Sequence, residues 1–188
     1  MNHVWNFEEW KDLSVKEVRD SFLHRSTSSP CLGKLTVDEL CCLAGSGESP
    51  VGIYVFSREG KVMYVGKTHG RSLHERMISH IDHRDPVQGS PHLAQFVSSL
   101  LKNDAATSRE QAVHHILNMQ MTWLPIPDVD ANREIHKKKI AIIERRLLWQ
   151  GCLNPRFNSL RVRKNPSFMI KGVRYHLTPE LIVGSVEV

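Results

Sequence analysis

This chain lacks the usual makings of a metal cage, a disulfide framework or a membrane anchor. Its four cysteines (Cys31, Cys41, Cys42, Cys152) include no C-x-x-C pair. That argues against a structural zinc site and suits a reducing cytoplasm, the expected location. No apolar run approaches the roughly 18 residues of a membrane span, and the first residues, MNHVWNFEEWKDL, are too acidic and polar for a secretory signal. Internal repeats and low-complexity tracts are also missing, which excludes solenoids and fibrous classes. What remains at 188 residues, 40% hydrophobic and 24% charged, is enough chain for one main domain with an appendage.

The net charge of +5 is unevenly spread. Residues 1–50 carry 5 basic and 8 acidic side chains, whereas Arg133 to Arg174 hold twelve Lys or Arg against only Glu134 and Glu144. A basic stretch of that density is the electrostatic footprint of phosphate-backbone binding, with a solvated helix face as the bland alternative.

Periodicity and turn chemistry supply the elements. Residues 5–25 mix Trp5, Phe7, Trp10, Phe22 and Leu23 with charges at helical spacing, and Ser14 with Glu17, like Thr36 with Glu39, makes a capping-box pattern. VGIYVF (51–56) and KVMYVG (61–66), separated by SREG, read as an antiparallel hairpin, with Gly52, Tyr54 and Phe56 on one face of the first strand and Val62, Tyr64 and Gly66 on one face of the second. SLHERMISHI (72–81) reads as a helix with Leu73, Met77 and Ile81 four apart. Helices are expected at 92–102 and at 109–117, the latter opened by Ser108 with Gln111, then a third strand in MQMTWLPIP (119–127) and a long helix over 132–150 closed by Gly151. Short strands are expected around SFMIKGVRYHL.

Three constellations carry chemistry. Tyr54 and Tyr64 share a predicted sheet surface, although strand tyrosines more often simply pack. Arg76 and His80 lie one helical turn apart, where a guanidinium fork matches a phosphate and an imidazole moves protons near neutral pH, although such a pair is commonly surface decoration. Glu144 sits on or beside the stripe of Ile140, Ile143, Leu147 and Leu148, where a carboxylate is costly to bury unless it is paired or binds a metal; pairing at the stripe's edge with Arg145, Arg146 or another surface cation is the structural alternative.

Taken in order, these residues resemble a known family. Gly52-Ile53-Tyr54, nine intervening residues and Tyr64-Val65-Gly66, followed by Lys67, are similar to the paired motifs of the GIY-YIG nuclease superfamily. Arg76 and His80 resemble the arginine and the His or Tyr of that family's first helix, Glu144 its metal-binding glutamate, and Asn158, the last residue of NPRFN, its late asparagine. The resemblance covers residues 50–160, with a longer gap between Gly66 and Arg76 than in the repair-enzyme branch and a helical insertion at 82–118.

It implies an α/β (α+β) fold: a small three-stranded antiparallel sheet flanked by helices, carrying a helical N-terminal extension (1–49) and a basic C-terminal tail (161–188). The implied activity is that of a metal-dependent DNA endonuclease, of restriction type because the module fills most of the chain. Glu144 would hold one divalent cation, Mg²⁺ being expected. Arg76 would grip the scissile phosphate, and Tyr54 would activate or orient water with Tyr64 or His80 relaying the proton; a neighbouring cation must then lower the phenol pKa from near its ordinary 10. Asn158 would position reactants, and Lys67, Arg161, Arg163 and Lys164 would contact the DNA backbone. DNA is the expected partner before RNA, a homodimer would explain double-strand cleavage, and no membrane is involved. The rival from another class is a nucleic-acid-binding or scaffolding module that keeps the fold without catalysis.

Overall fold

The computed structural model of the chain describes residues 13–42, 51–68, 72–82, 95–103, 105–126, 140, 141, 143, 144, 167–170 and 173–176. Helix α1 (Val15–Ser28) is nucleated by the capping box read in the sequence: the Ser14 hydroxyl accepts the Glu17 N–H at 3.3 Å and the Glu17 carboxylate accepts the Ser14 N–H at 2.8 Å. It stops at Ser29, extended at φ −71°, ψ 144° as a residue before proline must be. The chain then runs beside strand β3 (Gln120–Pro125), with Leu32 N–H donating to the Met119 carbonyl and Met121 N–H to the Pro30 carbonyl. These bonds pair the outer edge of β3 at its start, where backbone would otherwise be left unpaired. A 3₁₀ turn (Leu32–Lys34) and helix α2 (Val37–Cys42), opened by the reciprocal Thr36 and Glu39 bonds, complete this segment.

The hairpin forms as expected but with longer strands, β1 (Gly52–Arg58) and β2 (Lys61–Thr68), because only Glu59 and Gly60 make the turn. Both have positive φ, 52° and 71°, the arrangement whose twist matches antiparallel strands. Strand β3 pairs antiparallel on the other side of β1, giving the order β2-β1-β3. Ser167–Ile170 (β4) and Val173–His176 (β5) pair separately as a two-stranded ribbon. Helix α3 (Leu73–Ile81) follows the hairpin; α4 (Gln95–Lys102) and α5 (Arg109–Leu117) fall within the stretch expected as a helical insertion. At the start of α5, Ser108 accepts the Gln111 N–H, but the Gln111 amide oxygen reaches back to Thr107 rather than to Ser108.

Because β1 is central, every residue from Gly52 to Ser57 is buried, and its alternation divides two cores. Tyr54 and Phe56 point with Met121 and Trp123 into the first, which is closed by Leu73 and Met77 of α3, Phe96, Val97 and Leu100 of α4, and Ala112 and Ile116 of α5. Ile53 and Val55 point with Val65 and Leu124 into the second, closed by Phe22 of α1 and by Ile140 and Ile143. Each such side chain removed from water contributes about 1.5–3 kcal/mol. Residues 13–42, expected as a helical extension, thus add Phe22, Leu32 and Leu40 to these two cores.

One expectation fails here. Val62 does not share a face with Tyr64: a bulge between Phe56 and Ser57 leaves Phe56 opposite Tyr64 and Ser57 opposite Val62, so the intervening Met63 is extra. The slip turns Val62 into the second core while Met63 and Tyr64 pack against the first. The architecture is mixed α/β, a three-stranded antiparallel sheet between two layers of helix. Trp5, Phe7 and Trp10 and most of the helix expected over 132–150 lie outside the described residues; within the latter, 140, 141, 143 and 144 are helical. No helix among the described residues is long and apolar enough to cross a membrane.

Candidate functional site

The site is organised around Gly66. Its register partner is Tyr54, whose ring lies across it so closely that a Cβ at position 66 would overlap the phenol. A Cβ at Gly52 would likewise meet the Leu124 carbonyl oxygen and the Trp123 ring. Both motif glycines are therefore fixed by close approach of neighbouring groups.

Helix α3 brings the next two groups. Its start is set by a capping box absent from the sequence reading, the Ser72 hydroxyl on the Glu75 N–H and the Glu75 carboxylate on the Ser72 N–H. With Leu73 and Met77 anchored in the first core, His80 is carried inward and is itself buried. The Tyr54 hydroxyl lies 2.6 Å from His80 Nε2. Four rings surround the imidazole: Tyr54, Tyr64, Phe56 and Phe96, with centroids 5.2–6.0 Å away and all near edge-on. Phe96 also stacks on Tyr64 at 4.6 Å. It was missed in the sequence because an apolar helix residue far from any motif carries no signal of such a role.

Burial among these rings, reinforced by the nearby Arg76 charge, pushes the His80 pKa down to about 3. The imidazole is neutral at physiological pH. Burial also raises both phenols: for Tyr54 it is joined by Tyr64 and Glu144, for Tyr64 by Glu144, with Arg76 opposing in each case. The expectation that a neighbouring cation lowers the Tyr54 pKa is thus corrected. The cation is present, but desolvation of a completely enclosed phenol outweighs it.

The Tyr64 ring stacks beside that of Tyr54, centroids 6.3 Å apart, so both phenols border the imidazole, with the Tyr54 hydroxyl on Nε2. With the imidazole proton on Nδ1, the Tyr54 hydroxyl donates to Nε2; with it on Nε2, that hydroxyl accepts. A consequence is measurable. The folded-state pKa of His80 lies below its ordinary 6.5, so its contribution to stability is complete above that value and is lost as pH falls toward about 3. In urea unfolding between pH 4 and 6, His80 is expected to add about 1.4 kcal/mol per pH unit to the slope. The His80→Gln protein should lack that component, and parallel profiles for the two proteins would count against a neutral buried imidazole.

Arg76 lies beside these rings, and its Nε is buried without a hydrogen-bond partner among the described residues. An unsatisfied guanidinium donor is costly, and a phosphate oxygen is a matching acceptor. From the opposite face comes Glu144. Its carboxylate is buried beside Ile140 and Ile143, yet its charge acts on both phenols. Among the described residues its partner is Lys67, whose Nζ lies 2.6 Å from Glu144 Oε2; Arg145 and Arg146, considered from the sequence, lie outside the described residues. Lys67, expected on a DNA backbone, is here held by a carboxylate.

Six of the sequence-predicted residues, Tyr54, Tyr64, Lys67, Arg76, His80 and Glu144, therefore belong to one coupled cluster. Asn158, Arg161, Arg163 and Lys164 lie outside the described residues. Among the described residues no group of three or more His, Cys, Asp or Glu side chains assembles, and Glu144 is the buried carboxylate of the cluster. A single buried carboxylate already matched to a positive charge fits a hard cation that retains most of its water, such as Mg²⁺, and does not fit a zinc cage. No family model, curated protein or solved structure matches this chain.

Proposed function

We propose that this chain is a metal-dependent endonuclease of the GIY-YIG type, acting on DNA phosphodiester bonds in the manner of a stand-alone restriction-type enzyme. The observation that carries the proposal is the convergence on Tyr54 and Tyr64 of a buried guanidinium nitrogen unpartnered among the described residues, a buried carboxylate and a phenol–imidazole pair. Those are the parts that hydrolysis of a phosphate diester requires: an anion clamp, a cation site and a path for the proton of the attacking water.

In this reading Arg76 binds the scissile phosphate and offsets the charge that grows on it. Glu144 holds the divalent cation, which when bound supplies Lewis-acid stabilisation of the leaving 3′ oxygen. Tyr54 and Tyr64 remain protonated and orient the water. As the water oxygen bonds to phosphorus and the bond to the 3′ oxygen breaks, the water proton moves to the Tyr54 oxygen while that phenol gives its own proton to His80 Nε2. The arrival of an anionic phosphate favours this end-point, because a nearby negative charge raises the pKa of an imidazole and makes phenolate still less accessible. Asn158 remains a positioning residue and Arg161, Arg163 and Lys164 backbone contacts in this proposal. Double-strand cleavage would call for two sites, as in a homodimer.

The test is incubation of the purified chain with supercoiled plasmid and bacteriophage DNA, in Mg²⁺ or in EDTA. Discrete fragments formed only with Mg²⁺ are expected of a restriction-type enzyme, and nicking alone would indicate a structure-directed or partner-dependent nuclease. Intact DNA in every condition, with binding retained, would replace this reading with a binding or scaffolding module.

A further inference from the structure

We propose that Lys67 is the resident counter-ion of the Glu144 site and competes with the divalent cation for the same carboxylate. The inference rests on the metal-dependent reading above and adds a residue that sets how tightly the cation is held. Lys67 follows Gly66 directly, and strand alternation turns it to the opposite face of the sheet from the phenols, opposite Ile53 in register. There its ammonium reaches Glu144 at 2.6 Å.

The two partners are unequal. The Glu144 side chain is only 9% exposed, whereas that of Lys67 is 31% exposed. A carboxylate so enclosed cannot regain water by itself, and without a cation it would be an uncompensated buried charge. Lys67 has a flexible four-carbon stem and a compact, strongly hydrated charge, so it can withdraw into solvent at modest cost. The ammonium therefore occupies the carboxylate in the metal-free protein and yields it to a hydrated divalent cation. Whatever the ion pair contributes to the metal-free state is lost on exchange, and the affinity for metal is weaker by that amount.

Removal of Lys67 should tighten metal binding while weakening the metal-free fold. The experiment is a Mn²⁺ titration of the full chain without DNA, followed by the electron paramagnetic resonance signal of free Mn²⁺. For Lys67→Met the dissociation constant is expected to fall about threefold to thirtyfold, the range between a solvated and an enclosed ion pair. Lys67→Gln, which keeps an N–H donor to Glu144 without the charge, should tighten binding in the same direction and provides a second test should the methionine variant fold poorly. Lys67→Arg should bind no more tightly than the parent protein, and Glu144→Gln should lose this site. Thermal unfolding gives an independent readout: metal-free Lys67→Met should melt below the parent and gain more from Mn²⁺.

Wild-type or weaker Mn²⁺ affinity in both Lys67→Met and Lys67→Gln would overturn the competition while leaving the metal site standing. If neither the parent nor the Lys67 variants bind Mn²⁺ in a Glu144-dependent way, the metal-dependent reading falls and this inference with it.

Discussion

Glu144→Gln is expected to lower Mg²⁺-supported DNA cleavage at least about a thousandfold while leaving the fold intact. The substitution is nearly isosteric, so the contacts beside Ile140 and Ile143 are kept, and the amide oxygen can still accept from Lys67. What disappears is the negative charge. Lewis-acid stabilisation of a leaving oxygen is worth several kcal/mol, and each 1.4 kcal/mol is about a factor of ten in rate. The effect on stability should be within about 1 kcal/mol, because Lys67 is exposed enough to regain water when its partner is neutralised. Initial rates of plasmid cleavage and thermal unfolding of the same preparation separate the two effects. A variant that folds and cuts within tenfold of the parent would show that Glu144 is not the cation ligand.

The sheet was legible in the sequence because β-branched and aromatic runs, broken by SREG and by the prolines at the end of MQMTWLPIP, have few other ways to fold. Capping chemistry at Ser14 and Thr36 was equally direct, since a hydroxyl three residues before a carboxylate satisfies backbone donors locally. The bulge at Phe56/Ser57 was not legible. It depends on how a two-residue turn at Glu59 and Gly60 fits the register set farther along the hairpin, and it alone moves Val62 to the other core. Alternation read over six residues assumes that no residue is extra.

The site divides along the same line. The candidate residues Tyr54, Tyr64, Arg76, His80 and Glu144 could be named from the sequence through their ordered resemblance to family motifs, since each alone has an ordinary packing or surface explanation. How they are tuned could not. The sign of the Tyr54 shift is decided by complete burial against one cation, and the His80 shift by an enclosure to which Phe96 and Phe56 contribute. Lys67 illustrates the gap most clearly: its partner lies 77 residues away, in the helical layer on the face of the sheet to which Lys67 turns, away from the phenols. Periodicity places each residue on a face of its own element, whereas a pairing between elements depends on how the layers are packed.

Arg76→Ala is expected to reduce cleavage about 100- to 1000-fold, the usual loss when one donor to a developing oxyanion is removed from a preorganised site. The structural argument begins with Nε, which is buried and unpartnered among the described residues. A group that gains nothing from the fold at that atom is costly to keep there, so its deletion should lower the melting temperature little, the remaining loss being packing of the side-chain stem. The same guanidinium helps to hold the His80 pKa low. Without it the imidazole should titrate at higher pH, and proton NMR of the His80 ring would register an upward displacement relative to the parent. Arg76→Lys keeps the charge without the planar fork, so it should restore most of the His80 behaviour and only part of the cleavage rate. That difference separates electrostatic tuning from phosphate recognition. Cleavage by Arg76→Ala within threefold of the parent would remove Arg76 from the phosphate, whatever the imidazole does.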